Sequence, residues 1–375
     1  MLQCRSLGLA LGLALILAAC GGSHDGAAPG PDASTVDAGG SDDPITVPAD
    51  VWTWIPIGGT QCVHGSETGI AVNPHPGATK LVVFLQGGGS CTHCWGATES
   101  AKVGTPTHYD AASLAAEADI GNAGGKGQLL MRRNDADNPL NDANLVFVPY
   151  CTGDAHAGTA TVTETGDDGL VHTDMFWGGL DLDLILRRLV VTYPAPSRVW
   201  LAGSSAGGFA TTFNYAKVKA AFGVRTDTIN DSGEPLVPSA PLAVSQTGMA
   251  SLWGIATPAG CTTCTTALGF YQYNRALDPA ARFAVLSNDY DPVIAENDFG
   301  TAQQDAAYLA DFHAALHSFI DGLDSNAHAL ILGNTPASAS HVVMNKQPYS
   351  GQVGAWLQLM VDDSTAWTDV TVAEP

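Results

Sequence analysis

Short apolar runs recur along this chain, and stretches with helical spacing lie between them. Leu81-Val82-Val83-Phe84-Leu85 is apolar throughout and stops at Gly87-Gly88-Gly89. An unbroken run of this length suits a strand buried on both faces of a parallel sheet. Asn144 to Pro149, Arg198 to Ala202, Thr226 to Asn230, Phe283 to Ser287 and Ala329 to Leu332 read as further strands. Leu180 to Val191 carries apolar residues at helical spacing, with Arg187 and Arg188 in the second half. Gly207 to Ala221 and Thr301 to Leu323 also read as helices, and another is predicted from Val342 onward. The alternation predicts an α/β fold, with a mostly parallel central sheet flanked by helices and right-handed crossovers. No internal repeat interrupts it.

The first 48 residues do not fit this pattern. Met1 to Ala19 hold a short n-region with Arg5 and an apolar run, Leu7 to Leu17, too short to span a bilayer. Leu17-Ala18-Ala19-Cys20 resembles a bacterial lipobox, which implies cleavage before Cys20 and lipidation of its thiol. Cleavage nearby by ordinary signal peptidase is the alternative. Residues 20–48 are rich in Gly, Ala, Ser, Pro and Asp and have no apolar periodicity, so they read as a flexible acidic linker. Residues 49–375 then form a single domain. These features place the protein in the cell envelope, on the outer membrane or cell surface, or outside the cell. Membrane contact would run only through a lipid at Cys20.

Charge and cysteine content narrow the class. The formal net charge is −22, with 14% of residues charged. Such a chain repels nucleic acid at long range, so no nucleic-acid partner is expected. Besides Cys4 and Cys20, the cysteines are Cys62, Cys91, Cys94, Cys151, Cys261 and Cys264. An even number in an exported chain reads as disulfides. The two C-x-x-C pairs could instead hold zinc, but an oxidising compartment favours bridges.

Gly203-Ser204-Ser205-Ala206-Gly207 lies between a predicted strand and a predicted helix. A sharp turn there would lift the Ser205 hydroxyl off the sheet edge, and small neighbours let strand and helix pass closely. By its place in the motif, Ser205 is the candidate nucleophile. An oxyanion needs preorganised donors. The N–H of Ala206 is one candidate, and those of Gly88 and Gly89, after an earlier strand, are the others.

The serine needs a base, and the base needs an orienting acid. In this fold type they follow in the order Ser, Asp or Glu, His. Asp291 is favoured as acid, because the Pro292 after it ends the strand at a loop; Asp289 and Asp231 are its rivals. Four histidines follow Ser205. His313 and His317 share a helix face but lack the HExxH glutamate, so they read as partly exposed helix surface. His328 precedes the last predicted strand, at its wrong end. His341 lies in a small-residue loop after that strand, on the edge where ligands bind in such sheets, and is the candidate base. No metal or organic cofactor is expected.

At these residues the chain resembles the pectin acetylesterase and Notum family of α/β-hydrolases, over about Cys62 to Met344. The matching segments are Cys62-Val63-His64-Gly65-Ser66, Leu85-Gln86-Gly87-Gly88-Gly89-Ser90-Cys91, and Asn138-Pro139 followed by Pro149-Tyr150-Cys151-Thr152-Gly153-Asp154. Phe176-Trp177-Gly178-Gly179, Gly203 to Gly208 and Asp231-Ser232-Gly233 complete them. The resemblance implies a Ser205–His341–Asp291 triad, donors in the Gly88–Gly89 loop, and bridges Cys62–Cys151 and Cys91–Cys94. It also implies that Asp231 is not the triad acid. Gly89-Ser90 stands where the family often has an aromatic residue, and the Cys91–Cys94 loop is short, so acyl preference does not carry over.

The expected function is a serine carboxylesterase, acting through an acyl-enzyme on an O-acyl ester. Acetyl is the first choice of acyl group, and an acetylated polysaccharide is a candidate substrate. Scarce Lys and Arg argue against tight binding of a polyanionic, demethylated pectin. A monomer is expected. The alternatives are a non-catalytic surface binding protein on a hydrolase scaffold, and a serine amidase or peptidase.

Overall fold

The computed structural model describes residues 43–96, 108–122, 127–236, 249–299, 306–346 and 348–373. Cys20 and the expected signal segment lie outside these residues. The strands are β1 (Thr53–Pro56), β2 (Gly69–Asn73), β3 (Lys80–Leu85), β4 (Asn144–Val148), β5 (Ala160–Thr165), β6 (Val171–Phe176), β7 (Arg198–Ser204), β8 (Thr226–Asp231), β9 (Phe283–Asn288), β10 (Ala327–Gly333) and β11 (Val370–Ala373). Nine of them form one sheet in the order β1-β2-β4-β3-β7-β8-β9-β10-β11. Pairing is antiparallel at β1–β2 and β2–β4 and parallel from β4 onward. β5 and β6 form a separate antiparallel pair.

The continuous apolar runs have a direct cause. Successive strand side chains point to opposite faces, and both faces are covered. Val82, Phe84, Leu145, Phe147, Trp200 and Ala202 pack on one side with Leu357 and Met360 of the helix Ser350–Val361. Leu81, Val83, Leu85, Val146, Val199 and Leu201 pack on the other. There they meet Leu182, Leu186 and Leu189 of the helix Gly178–Thr192, and Ala210, Tyr215 and Val218 of the helix Ala206–Phe222. The predicted mostly parallel sheet with flanking helices is therefore present.

Two expectations change. The Ala329–Leu332 strand is not the last, because β11 pairs with β10 as an edge strand. The helix expected from Val342 begins only at Ser350. Val342 has φ 63°, in the left-handed region, and side chains of Asp231 and Ser232 hold the N–H groups of residues 342–344. A right-handed helix cannot start there. The expectation of bridges over zinc holds. Both C-x-x-C pairs are closed as disulfides, Cys91–Cys94 and Cys261–Cys264, so neither offers thiolates to zinc.

Cys62–Cys151 is also bridged, across a sequence separation of 89 residues. Both cysteines are buried. Closing a loop of that length in the unfolded chain stabilises the fold by about 4.6 kcal/mol on the chain-entropy argument. The Cys62→Ala/Cys151→Ala double variant should lose stability of that order, read as a lower urea midpoint with a raised m-value, because the unfolded chain without the bridge is more expanded.

Packing begins inside the stretch read as linker. Ile45 donates its N–H to Thr192 Oγ1 at 3.0 Å, and Ile45 and Val47 lie against the core. Among the described residues, no helix is long and apolar enough to cross a membrane.

Candidate active site

Four loops meet at the C-terminal edge of the parallel strands, following β3, β7, β9 and β10. This is where open α/β sheets bind ligands. β7 ends at Ser204 and the next helix begins at Ala206, so Ser205 alone makes the turn. Its φ of 59° and ψ of −123° are strained for a residue with a Cβ. The N–H of Ser205 donates to Asp231 O at 2.7 Å, which ties the turn to β8.

Glycine is required around this turn by contact. A Cβ on Gly207 would lie 1.9 Å from Leu85 O, and one on Gly203 would lie 2.2 Å from Gly207 O. A Cβ on Gly87 would lie 2.3 Å from Ser204 O, so the loop after β3 passes directly over the serine turn. Gly88 and Gly89 follow with positive φ, 149° and 81°. Among the described residues, no acceptor takes the N–H of Gly88, Gly89 or Ala206.

The glycine loop is held from several sides. Gln86 Oε1 accepts from Tyr150 N at 3.0 Å, and its Nε2 donates to Glu117 at 2.9 Å. His156 Nε2 donates to Gln86 O at 2.9 Å. Burial lowers the His156 pKa to about 4, which keeps that ring neutral. Cys91 N donates to Gly153 O, and Trp253 Nε1 donates to Cys91 O, both at 3.0 Å.

His341 Nδ1 lies 2.6 Å from Asp291 Oδ2. The Asp291 carboxylate is fully buried. Its Oδ1 accepts from Val293 N at 2.9 Å and Ile294 N at 3.0 Å, the first N–H groups of the helix Pro292–Phe299. With Nδ1–H given to the carboxylate, Nε2 carries the free lone pair. That atom is buried and has no partner among the described residues.

The rivals occupy other places. Asp289 pairs with His317 at 2.7 Å, on the outer side of the loop. His328 pairs with Asp369, at the start of β10 and away from this edge. Asp231 is buried under the site. Its carboxylate accepts from Ser204 Oγ at 2.9 Å, Val343 N at 2.8 Å and Met344 N at 3.0 Å. Burial raises its pKa to about 6, so it is ionised at neutral pH. Asp231 thus holds the Ser205 turn through its carbonyl and the segment after His341 through its side chain. Glu234 is buried nearby, and burial, then the charge of Asp291, raise its pKa to about 8. It is therefore mostly neutral at pH 7.

An apolar pocket of about 100 Å³ opens beside Ser205. Phe209, Phe213, Met249, Trp253, Ile255 and Phe270 line it. None of these stands out in the sequence. Phe209 and Phe213 show only as an i, i+4 apolar pair on the helix after the nucleophile, and the others come from distant segments.

Residues 55–236 match the family model described as Pectinacetylesterase. The chain is 24% identical over 326 residues to palmitoleoyl-protein carboxylesterase NOTUM of Drosophila melanogaster, covering 80% of this chain and 45% of that protein. It is 26% identical over 159 residues to the human protein of the same name, covering 42% of this chain and 29% of that protein. The chain therefore spans less than half the length of these curated relatives. Among solved structures, the Wnt deacylase Notum from Drosophila superposes with a TM-score of 0.56 at 20% identity. That match covers 84% of this chain and 93% of the other, and shows a shared fold.

Proposed function

Because the chain belongs to the pectin acetylesterase and Notum family, we propose that it is a serine carboxylesterase with Ser205 as nucleophile, His341 as base and Asp291 as orienting acid. The observation that carries the reading is the Asp291–His341 pair at 2.6 Å, on the sheet edge where the strained Ser205 turn also sits. His341 Nε2 takes the Ser205 proton as the hydroxyl attacks the ester carbonyl. The N–H groups of Gly88, Gly89 and Ala206 hold the oxyanion. His341 then protonates the departing alcohol. Water, activated by the same Nε2, hydrolyses the acyl-enzyme. Asp291 fixes the tautomer and stabilises the imidazolium.

The acyl group is a chain longer than acetyl, because the walls of the pocket beside Ser205 are apolar side chains, Phe209, Phe213, Trp253, Ile255 and Phe270 among them, that a two-carbon group would barely touch. This agrees with the deacylase and palmitoleoyl-esterase names of the relatives. Each methylene moved from water into such a pocket contributes about 0.8 kcal/mol, or roughly fourfold in kcat/KM. On p-nitrophenyl esters, kcat/KM should therefore rise at least about tenfold from acetate to hexanoate. Acetate as the best substrate would overturn the acyl assignment and leave the esterase standing.

The three disulfides suit an oxidising compartment, in keeping with export. Anchoring through a lipid on Cys20 is proposed on the lipobox resemblance alone. The alcohol half of the ester, a polysaccharide or another carrier, is left to the same kind of panel.

A further inference from the structure

On the outer side of the β9 loop, two histidines from one helix converge on one carboxylate. His313 and His317 stand one turn apart on the helix Ala306–Asp321, with ring centroids 4.4 Å apart. Asp289 follows the end of β9, and its backbone is fixed by donation from its N–H to Leu332 O at 2.9 Å. Its Oδ1 lies 2.7 Å from His317 Nε2 and 3.7 Å from His313 Nε2. One ligand atom from each of the three residues falls within 4.8 Å of the other two.

We propose that Asp289, His313 and His317 form a binding site for a divalent transition-metal ion of the zinc type. A hydrogen-bonded pair explains His317 with Asp289. It does not explain why His313 turns its Nε2 toward the same oxygen at a distance too long for a hydrogen bond. A single cation explains both, because it is attracted to all three ligand atoms at once. Bonds of about 2.0–2.1 Å in a tetrahedron set ligand atoms about 3.3 Å apart. The observed spacings bracket that value, so small side-chain rotations suffice. Both rings can make them: their side chains are 36% and 44% exposed, which also leaves the site open to solvent. Tyr290 stacks on the His313 ring at 4.7 Å and 16°, and this limits the rotations to those that keep the ring facing Asp289.

The donor set decides the class of ion. Two imidazoles and one carboxylate favour zinc, copper, nickel or cobalt, while magnesium and calcium prefer oxygen ligands. Water completes the shell. The formal net charge of −22 raises the concentration of cations near the surface. The ion would pin the helix to the segment Asp289-Tyr290-Asp291. Tyr290 O in turn accepts from Ser340 N at 3.1 Å, so both loops bearing the proposed acid and base adjoin the site.

The test uses the full chain purified without an affinity tag and stripped with EDTA. Zinc is titrated by calorimetry in a non-chelating buffer, and cobalt serves as the visible-absorbing probe. The expected result is one ion per chain, d–d bands for bound cobalt, and no competition from magnesium. His313→Gln and His317→Gln should each weaken zinc binding at least about tenfold, since losing a ligand costs no less than losing its supporting partner. Both positions are partly exposed, so the metal-free variants should melt as the wild type does. No zinc binding by the stripped protein would overturn the proposal, as would binding that both variants retain undiminished.

Discussion

Replacing Ser205 by alanine should lower kcat for ester hydrolysis about a million-fold, the loss seen when a triad nucleophile is removed. What remains is the contribution of the oxyanion donors and of substrate binding, about 10³–10⁴ over the reaction in water. The fold should survive. Among the described residues, no group bonds to the Ser205 hydroxyl, so its loss strands no partner. The backbone strain at φ 59° is the same for alanine as for serine, because both carry one Cβ. The melting temperature should accordingly stay within a few degrees of wild type. Steady-state turnover of p-nitrophenyl hexanoate, with thermal unfolding on the same samples, measures both.

Asp291→Asn should cost about 10⁴-fold in kcat with little change in KM. The surroundings decide the direction. Asp291 Oδ1 accepts from the N–H groups of Val293 and Ile294. In the asparagine variant the amide oxygen must keep that place, since two donors face it. The NH₂ group is then turned toward His341 Nδ1. Nδ1 must accept, Nε2 must carry the proton, and the ring can no longer take a proton from Ser205. The defect is one of tautomer at preserved geometry. Retention of a large part of wild-type kcat would show that His341 does not depend on Asp291.

Much of this was readable in the residues, and the reasons differ by element. β3, β4, β7 and β9 were legible because strands covered on both faces carry continuous apolar runs, whereas β8 has only Ile229 as an apolar residue and was placed by its position after the nucleophile helix. Ser205 was legible because the crowded turn admits only small neighbours, and a Cβ at Gly203 or Gly207 meets backbone oxygen. β1 and β11 were not, since each has only four residues and carries no continuous apolar signal. The β5–β6 hairpin alternates in burial, but with threonines, glutamate and aspartate on it the period is easy to miss. The region after His341 misled because Val342-Val343-Met344 looks like the start of an apolar helix. Its N–H groups are taken instead by Asp231 and Ser232, two side chains more than a hundred residues away in sequence. No local pattern carries that information. The pocket walls escaped for the same reason, as Phe209, Trp253 and Phe270 meet only in the folded chain.

Asp231 has the sequence position of a triad acid, but its carboxylate makes other bonds. It is buried and acidic and follows the strand after the nucleophile helix. Its bonds run to Ser204 and to the backbone of Val343 and Met344, while the histidine ring faces Asp291. It positions the two halves of the site.

The central claim is that Ser205 is the activated nucleophile. The most direct measurement is treatment of the full chain with a fluorophosphonate probe, followed by peptide mapping by mass spectrometry. The account predicts one adduct per chain, on the peptide bearing Ser205, formed far more slowly in Asp291→Asn and absent in Ser205→Ala. Modification of another residue, or no adduct in protein that still turns over esters, would contradict it.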